Sequence, residues 1–103
     1  VNDPIATATI AKAFKEHFGE DAFECPPVGA SEDFGRFGIA FESPYVYWFV
    51  GGTDQAKYDA AVKANTVATL PGPHSPFWAP ALQPTLRTGI ETMLLAAGAW
   101  LAK

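Results

Sequence analysis

The feature that most constrains this chain is the run Tyr45-Val46-Tyr47-Trp48-Phe49-Val50, which stops at Gly51-Gly52. It is aromatic or β-branched throughout and does not alternate apolar with polar, as a strand with one wet face would. Unbroken apolarity of this kind belongs to a central strand covered on both faces, as in parallel α/β sheets. Such a strand needs neighbours on each side and helices above and below. Only one other segment reads as a strand, residues 22–25, which ends at Pro26-Pro27. The fold class predicted is therefore α/β: an incomplete αβα domain with a mostly parallel sheet and flanking helices. Composition points the same way. In 103 residues, 49% are hydrophobic and 17% charged, more apolar than a small domain with a large surface-to-volume ratio can hide. Either the chain exposes a sizeable apolar patch, or part of its core lies in another segment.

Helices frame the run. Asp3 can cap a first helix with Pro4 in its opening turn; Ile10, Ala13, Phe14 and His17 fall on one face, and Gly19 supplies a left-handed stop. Ser31 can cap a second helix, with Glu32 and Asp33 in its first turn and Phe34, Phe37 and Phe41 at helical spacing; Gly35 and Gly38 weaken it and Ser43-Pro44 end it. Thr53 can cap a third, running through Tyr58 and Val62. After a turn-rich loop, a last helix begins near Pro84. Its buried stripe is predicted to be Leu86, Ile90, Met93, Leu94, Ala97 and Leu101, with Arg87 and Glu91 on the opposite side.

Several function classes are excluded or disfavoured. The formal charge is −4 with no basic run, so a phosphate-backbone partner has no electrostatic footprint and no nucleic acid is expected. The most apolar stretch, residues 90–101, is too short for a membrane span and carries Glu91. No signal peptide is visible, and a single cysteine fits a reducing, cytoplasmic compartment. Cys25 has no neighbouring Lys or Arg to activate it and reads as an inert buried thiol.

No phosphate loop, dinucleotide fingerprint, nucleophile elbow or self-contained zinc spacing is present. His74 stands between Pro73 and Pro76 in a stiffened loop of the kind that positions functional side chains; the alternative is a loop histidine that hydrogen-bonds a backbone carbonyl. His17 sits near a helix end without ligand-like neighbours and reads as a partly buried structural residue. Glu32 and Asp33 could bring carboxylates to a cleft or simply stabilise a helix N-terminus.

Two motifs in order add a family likeness. Gly29-Ala30-Ser31-Glu32-Asp33-Phe34 resembles the G-[SA]-E-D-F loop of metal-dependent N-acyl-amino-acid amidohydrolases. His74-Ser75-Pro76-Phe77, followed by Thr85-Leu86-Arg87-Thr88-Gly89 and an apolar helix, resembles their C-terminal metal-ligand loop and final helix, and Tyr47-Trp48-Phe49-Val50-Gly51-Gly52 resembles the strand between. This superfamily includes aminoacylase, hippurate hydrolase and carboxypeptidase G-like enzymes. The resemblance implies that residues 1–103 are the C-terminal portion of a catalytic domain, lacking the N-terminal half and the inserted lid or dimerisation domain. It implies a parent that cleaves amides of N-acyl amino acids or small peptides with water activated by two divalent metal ions (zinc, with manganese or nickel as alternatives). His74 would be one metal ligand. Ser31, Glu32 and Asp33 would support the cleft or substrate, and no catalytic residue would lie in this chain, which alone would be inactive. Phe77-Trp78-Ala79-Pro80 departs from the acidic stretch common in relatives. The competing reading is a non-catalytic interaction module that dimerises through its apolar aromatic surface; on either reading a homo-oligomer through that surface or a sheet edge is expected.

Overall fold

The computed structural model describes residues 1–102 and contains four α-helices: α1 (Pro4–Phe18), α2 (Gly35–Ala40), α3 (Gln55–Ala64) and α4 (Leu82–Leu101). Single 3-10 turns lie at Gly19–Asp21 and Val67–Thr69. No strand occurs among the described residues, so the α/β expectation, with its parallel sheet and sheet edge, is overturned: the fold is helical. The chain divides into two compact units, one of Val1–Phe49 with Glu91–Lys103 and one of Val50–Ile90.

In the first unit, α1 starts as its sequence dictates. The Asp3 carboxylate accepts from the Ala6 N–H at 2.8 Å, Pro4 takes the first turn, and Gly19 ends the helix at φ 59° and ψ −128°, a conformation open only to glycine at little cost. Ala6 and Ile10 are buried, whereas His17, expected on the same face, is exposed.

The apolar run shows why no sheet forms. A strand's carbonyls and amides must find a ladder partner, and here the partner is the three-residue arm before α1. Asp3 N–H donates to the Tyr45 carbonyl at 3.0 Å. The Asn2 side-chain amide then takes both backbone groups of Tyr47, donating to its carbonyl at 2.8 Å and accepting from its N–H at 2.9 Å. A side chain thus stands in for a neighbouring strand, and the helix that begins at Pro4 leaves no room for a longer ladder. The predicted strand at residues 22–25 forms no ladder among the described residues, and its Cys25 is exposed rather than buried.

The run still has two faces. Trp48 packs edge-on against Phe14 of α1 at 5.4 Å, while Tyr45 and Tyr47 face Phe34 at 5.9 and 5.4 Å and Tyr47 meets Phe49 at 5.3 Å. Both faces are apolar because one meets a helix and the other carries an aromatic row. Helix α2 fits under that row through its glycines. A Cβ on Gly38 would collide with the Tyr45 ring, and one on Gly35 would lie 2.8 Å from its hydroxyl. The helix begins at Gly35 rather than behind Ser31, and closes with Glu42 at φ 49° as Ser43 N–H bonds Gly38 C=O at 3.0 Å and Glu42 N–H bonds Ile39 C=O at 3.3 Å, a Schellman closure.

In the second unit, Asp54 rather than Thr53 caps α3, its carboxylate accepting from Lys57 N–H at 3.1 Å, and Asn65 closes the helix in the left-handed region at φ 54°. Only Ala61 of this helix is buried.

Helix α4 is regular from Pro84 onward, since Gln83 before it is extended (φ −124°, ψ 139°). Its predicted buried stripe is the exposed one. Leu86, Ile90, Met93, Leu94 and Leu101 are all more than half exposed, and Thr92 and Ala96 are buried instead. Glu91, expected outside, has a side chain 25% exposed and pairs with His17 at 3.2 Å. Helical periodicity locates the apolar face of a helix; it does not say whether the same chain covers that face.

Burial is thin in each unit: Ala6, Ile10, Thr92 and Ala96 in the first, Ala61 in the second. The surface is 8545 Å². A compact monomer of 11.0 kDa would expose about 5,600 Å², and two separate bodies of the sizes found here about 6,700 Å². At least ~1,800 Å² is therefore surface that folded chains of this mass normally hide. The apolar surplus read from composition therefore lies exposed on the described residues. No helix among the described residues is long and apolar enough to cross a membrane.

Candidate functional site

His74 lies in the second unit, at the tip of two consecutive turns. Ser75 N–H bonds Gly72 C=O at 2.8 Å and Trp78 N–H bonds Ser75 C=O at 3.2 Å. Each turn carries a proline at its first central position, Pro73 and Pro76, where the fixed φ suits the turn. The Ser75 hydroxyl accepts from Phe77 N–H at 3.2 Å and ties the two together. Beyond them the chain is anchored. Ala81 N–H donates to the Gly52 carbonyl at 2.8 Å, and a Cβ on Gly52 would stand 3.0 Å from the Trp78 ring. Trp78 thus rests on the glycine that ends the apolar run, and His74 is held out on a short stiff arm. Its side chain is exposed and makes no hydrogen bond or ion pair among the described residues, so the carbonyl-bonded loop histidine of the alternative reading is not what the structure shows.

Ser31, Glu32 and Asp33 belong to the first unit and are exposed. Ser31 caps nothing. One oxygen of Glu32 accepts from Phe34 N–H at 3.0 Å and the other from the Tyr47 hydroxyl at 3.3 Å. Asp33 holds the start of α2 through its carbonyl, 2.9 Å from Arg36 N–H, and its carboxylate lies 3.4 Å from Arg36 Nε. Both acids make local contacts ahead of α2, but neither lies in its first turn, where the dipole argument had placed them.

Tyr47 is the residue that sequence reasoning missed as a polar contributor. The negative charge of Glu32 beside it, followed by partial loss of water and the hydrogen bond to Glu32, raises its hydroxyl above the usual tyrosine range. The period-two spacing of Tyr45, Tyr47 and Phe49 was the available signal, because it places all three on one side with Phe34.

No family model and no solved structure matches the chain.

The metal centre implied by the amidohydrolase resemblance can be tested against the donors present. Among the described residues no group of three or more His, Cys, Asp and Glu side chains is placed to hold a metal ion. One exposed imidazole is one ligand, whereas a divalent site needs three or four from the protein. The residues of this chain do not by themselves fit a two-metal centre.

Proposed function

We propose that this chain is the ligand-bearing C-terminal part of a metal-dependent amidohydrolase acting on N-acyl amino acids or small peptides, with His74 as its one metal ligand. The observation that carries this reading is the exposed His74 imidazole, unengaged among the described residues and displayed by two proline-set turns within the motif that resembles the family's ligand loop. The remaining donors, for zinc or alternatively manganese or nickel, come from sequence outside these residues, and no chemical step is assigned to this chain alone. The resemblance assigns Ser31, Glu32 and Asp33 a supporting role rather than metal binding, and Glu32 accepts from the Tyr47 hydroxyl at 3.3 Å. The large exposed surface supports the same reading, since a part of a larger domain leaves uncovered what its complement would hide.

The test is hydrolysis of N-acetyl and N-benzoyl amino acids. The chain alone should show no turnover. In the longer parent enzyme, His74→Ala should lower activity by roughly 10²-fold or more together with bound metal, since even partners one shell further out cost 10–100-fold. Turnover by the isolated chain, or full metal content in the His74→Ala parent, would sink the reading. A second reading, a non-catalytic self-associating module, is favoured by the same uncovered apolar surface.

A further inference from the structure

The C-terminal half of α4 carries its large apolar side chains on the outside. Met93 is 62% exposed, Leu94 67%, Trp100 53% and Leu101 79%, with the exposed Ala97 between them. Their spacing is i, i+1, i+4, i+7 and i+8, a single stripe two turns long. Between Glu91 and Lys103 the helix has no ionisable residue, so the stripe is free of charge along its whole length. Trp100 also walls an open groove of about 380 Å³ with Ala6, Ile10, Pro44, Tyr45 and Val46. The stripe presents on the order of 600 Å², at the upper limit of the largest apolar patch on an ordinary monomer.

We infer that this stripe is a self-association surface and that its occupant is the same stripe of a second copy of the chain. Area supports this. Pairing two copies would bury up to about 1,200 Å² in all, which reaches the lower bound for a stable interface. Burial in the Trp100 groove would add to that figure. Electrostatics also supports it: although each chain carries net charge −4, the faces that meet hold no charge, so close approach sets no like charges against each other. Shape is the third argument. A two-fold axis through Ala97 would set Met93 opposite Leu101, and Leu94 opposite Trp100, of the second copy, with the small alanine at the crossing where two helix backbones approach most closely. The inference uses no residue of the His74 loop as a contact; it assigns the α4 stripe to a second copy and leaves the other uncovered surface to the complement that the catalytic reading requires.

The experiment is sedimentation equilibrium of the full chain over a wide concentration range, with helicity followed by circular dichroism. The wild type should dimerise. Leu94→Glu places a charge at the centre of an already exposed stripe; it should keep its helicity and raise the dimer dissociation constant more than tenfold. Phe77→Glu, at a residue 87% exposed elsewhere, should leave the constant unchanged. As a gentler probe, a spin label at Ala97→Cys in a Cys25→Ser background should report a short, defined distance between copies. A wild-type chain that stays monomeric throughout overturns the inference. So does a dimer indifferent to Leu94→Glu, or one whose labels at position 97 lie far apart.

Discussion

The Tyr47 hydroxyl and the Glu32 carboxylate, 3.3 Å apart, form the contact with the clearest pH signature. The neighbouring negative charge, loss of water and the hydrogen bond all resist ionisation of the phenol. A group whose folded value is raised above its unfolded value contributes stability below the unfolded value and loses it as pH rises through the folded one. The contribution is therefore intact at neutral pH and fades only in the alkaline range. Ultraviolet titration should show one tyrosine ionising later than an ordinary phenol. That late step should vanish in Tyr47→Phe and move down in Glu32→Gln, and an unchanged profile in Glu32→Gln would refute the pairing.

At the scale of elements, α2 offers two substitutions of opposite sign. Helix propensity alone says that Gly38→Ala should stabilise by nearly 1 kcal/mol. The Tyr45 ring occupies the space its methyl would need, so the expected outcome is a net loss of about 1–2 kcal/mol from overpacking. Four residues on, Glu42 holds φ 49°, which costs a residue with a Cβ roughly 1 kcal/mol. Glu42→Gly should recover part of that, as seen in the denaturant midpoint. For α1, Asp3→Ala should cost about 1 kcal/mol through the lost cap. Chemical denaturation of the three variants checks all of these together. The caps and stops of α1 were readable because they depend on neighbours in sequence. The Gly38–Tyr45 fit was not, because those residues meet only after the chain folds back.

For the whole molecule, the excess surface has a calorimetric consequence. The heat capacity change of unfolding follows the apolar area exposed. With four buried apolar side chains among the described residues, the chain should fall well below the ~1.2–1.5 kcal/mol/K of an ordinary 100-residue domain. Calorimetry at low concentration, where self-association is minimal, measures this; a value in the ordinary range would mean that far more surface is buried than the structure shows. If α4 pairs between copies, the unfolding midpoint should also rise with protein concentration, by mass action.

The sequence by itself determined the helix starts and stops at Asp3, Pro4, Gly19 and Pro84, the turns set by Pro73 and Pro76, and the surplus of apolar side chains. All of these rest on local backbone preference or on composition. Tertiary structure alone decided the rest. It gave the ladder groups of Tyr47 to the Asn2 side chain, so an apolar run read as a sheet strand entered no sheet. It turned Thr92 and Ala96 of α4 inward and left Met93, Leu94 and Leu101 outside. Periodicity can show that a segment has an apolar face or an extended register, but the surface or strand that meets it is a non-local choice. Here it is made by residues up to 74 positions away, as His17 and Glu91 are.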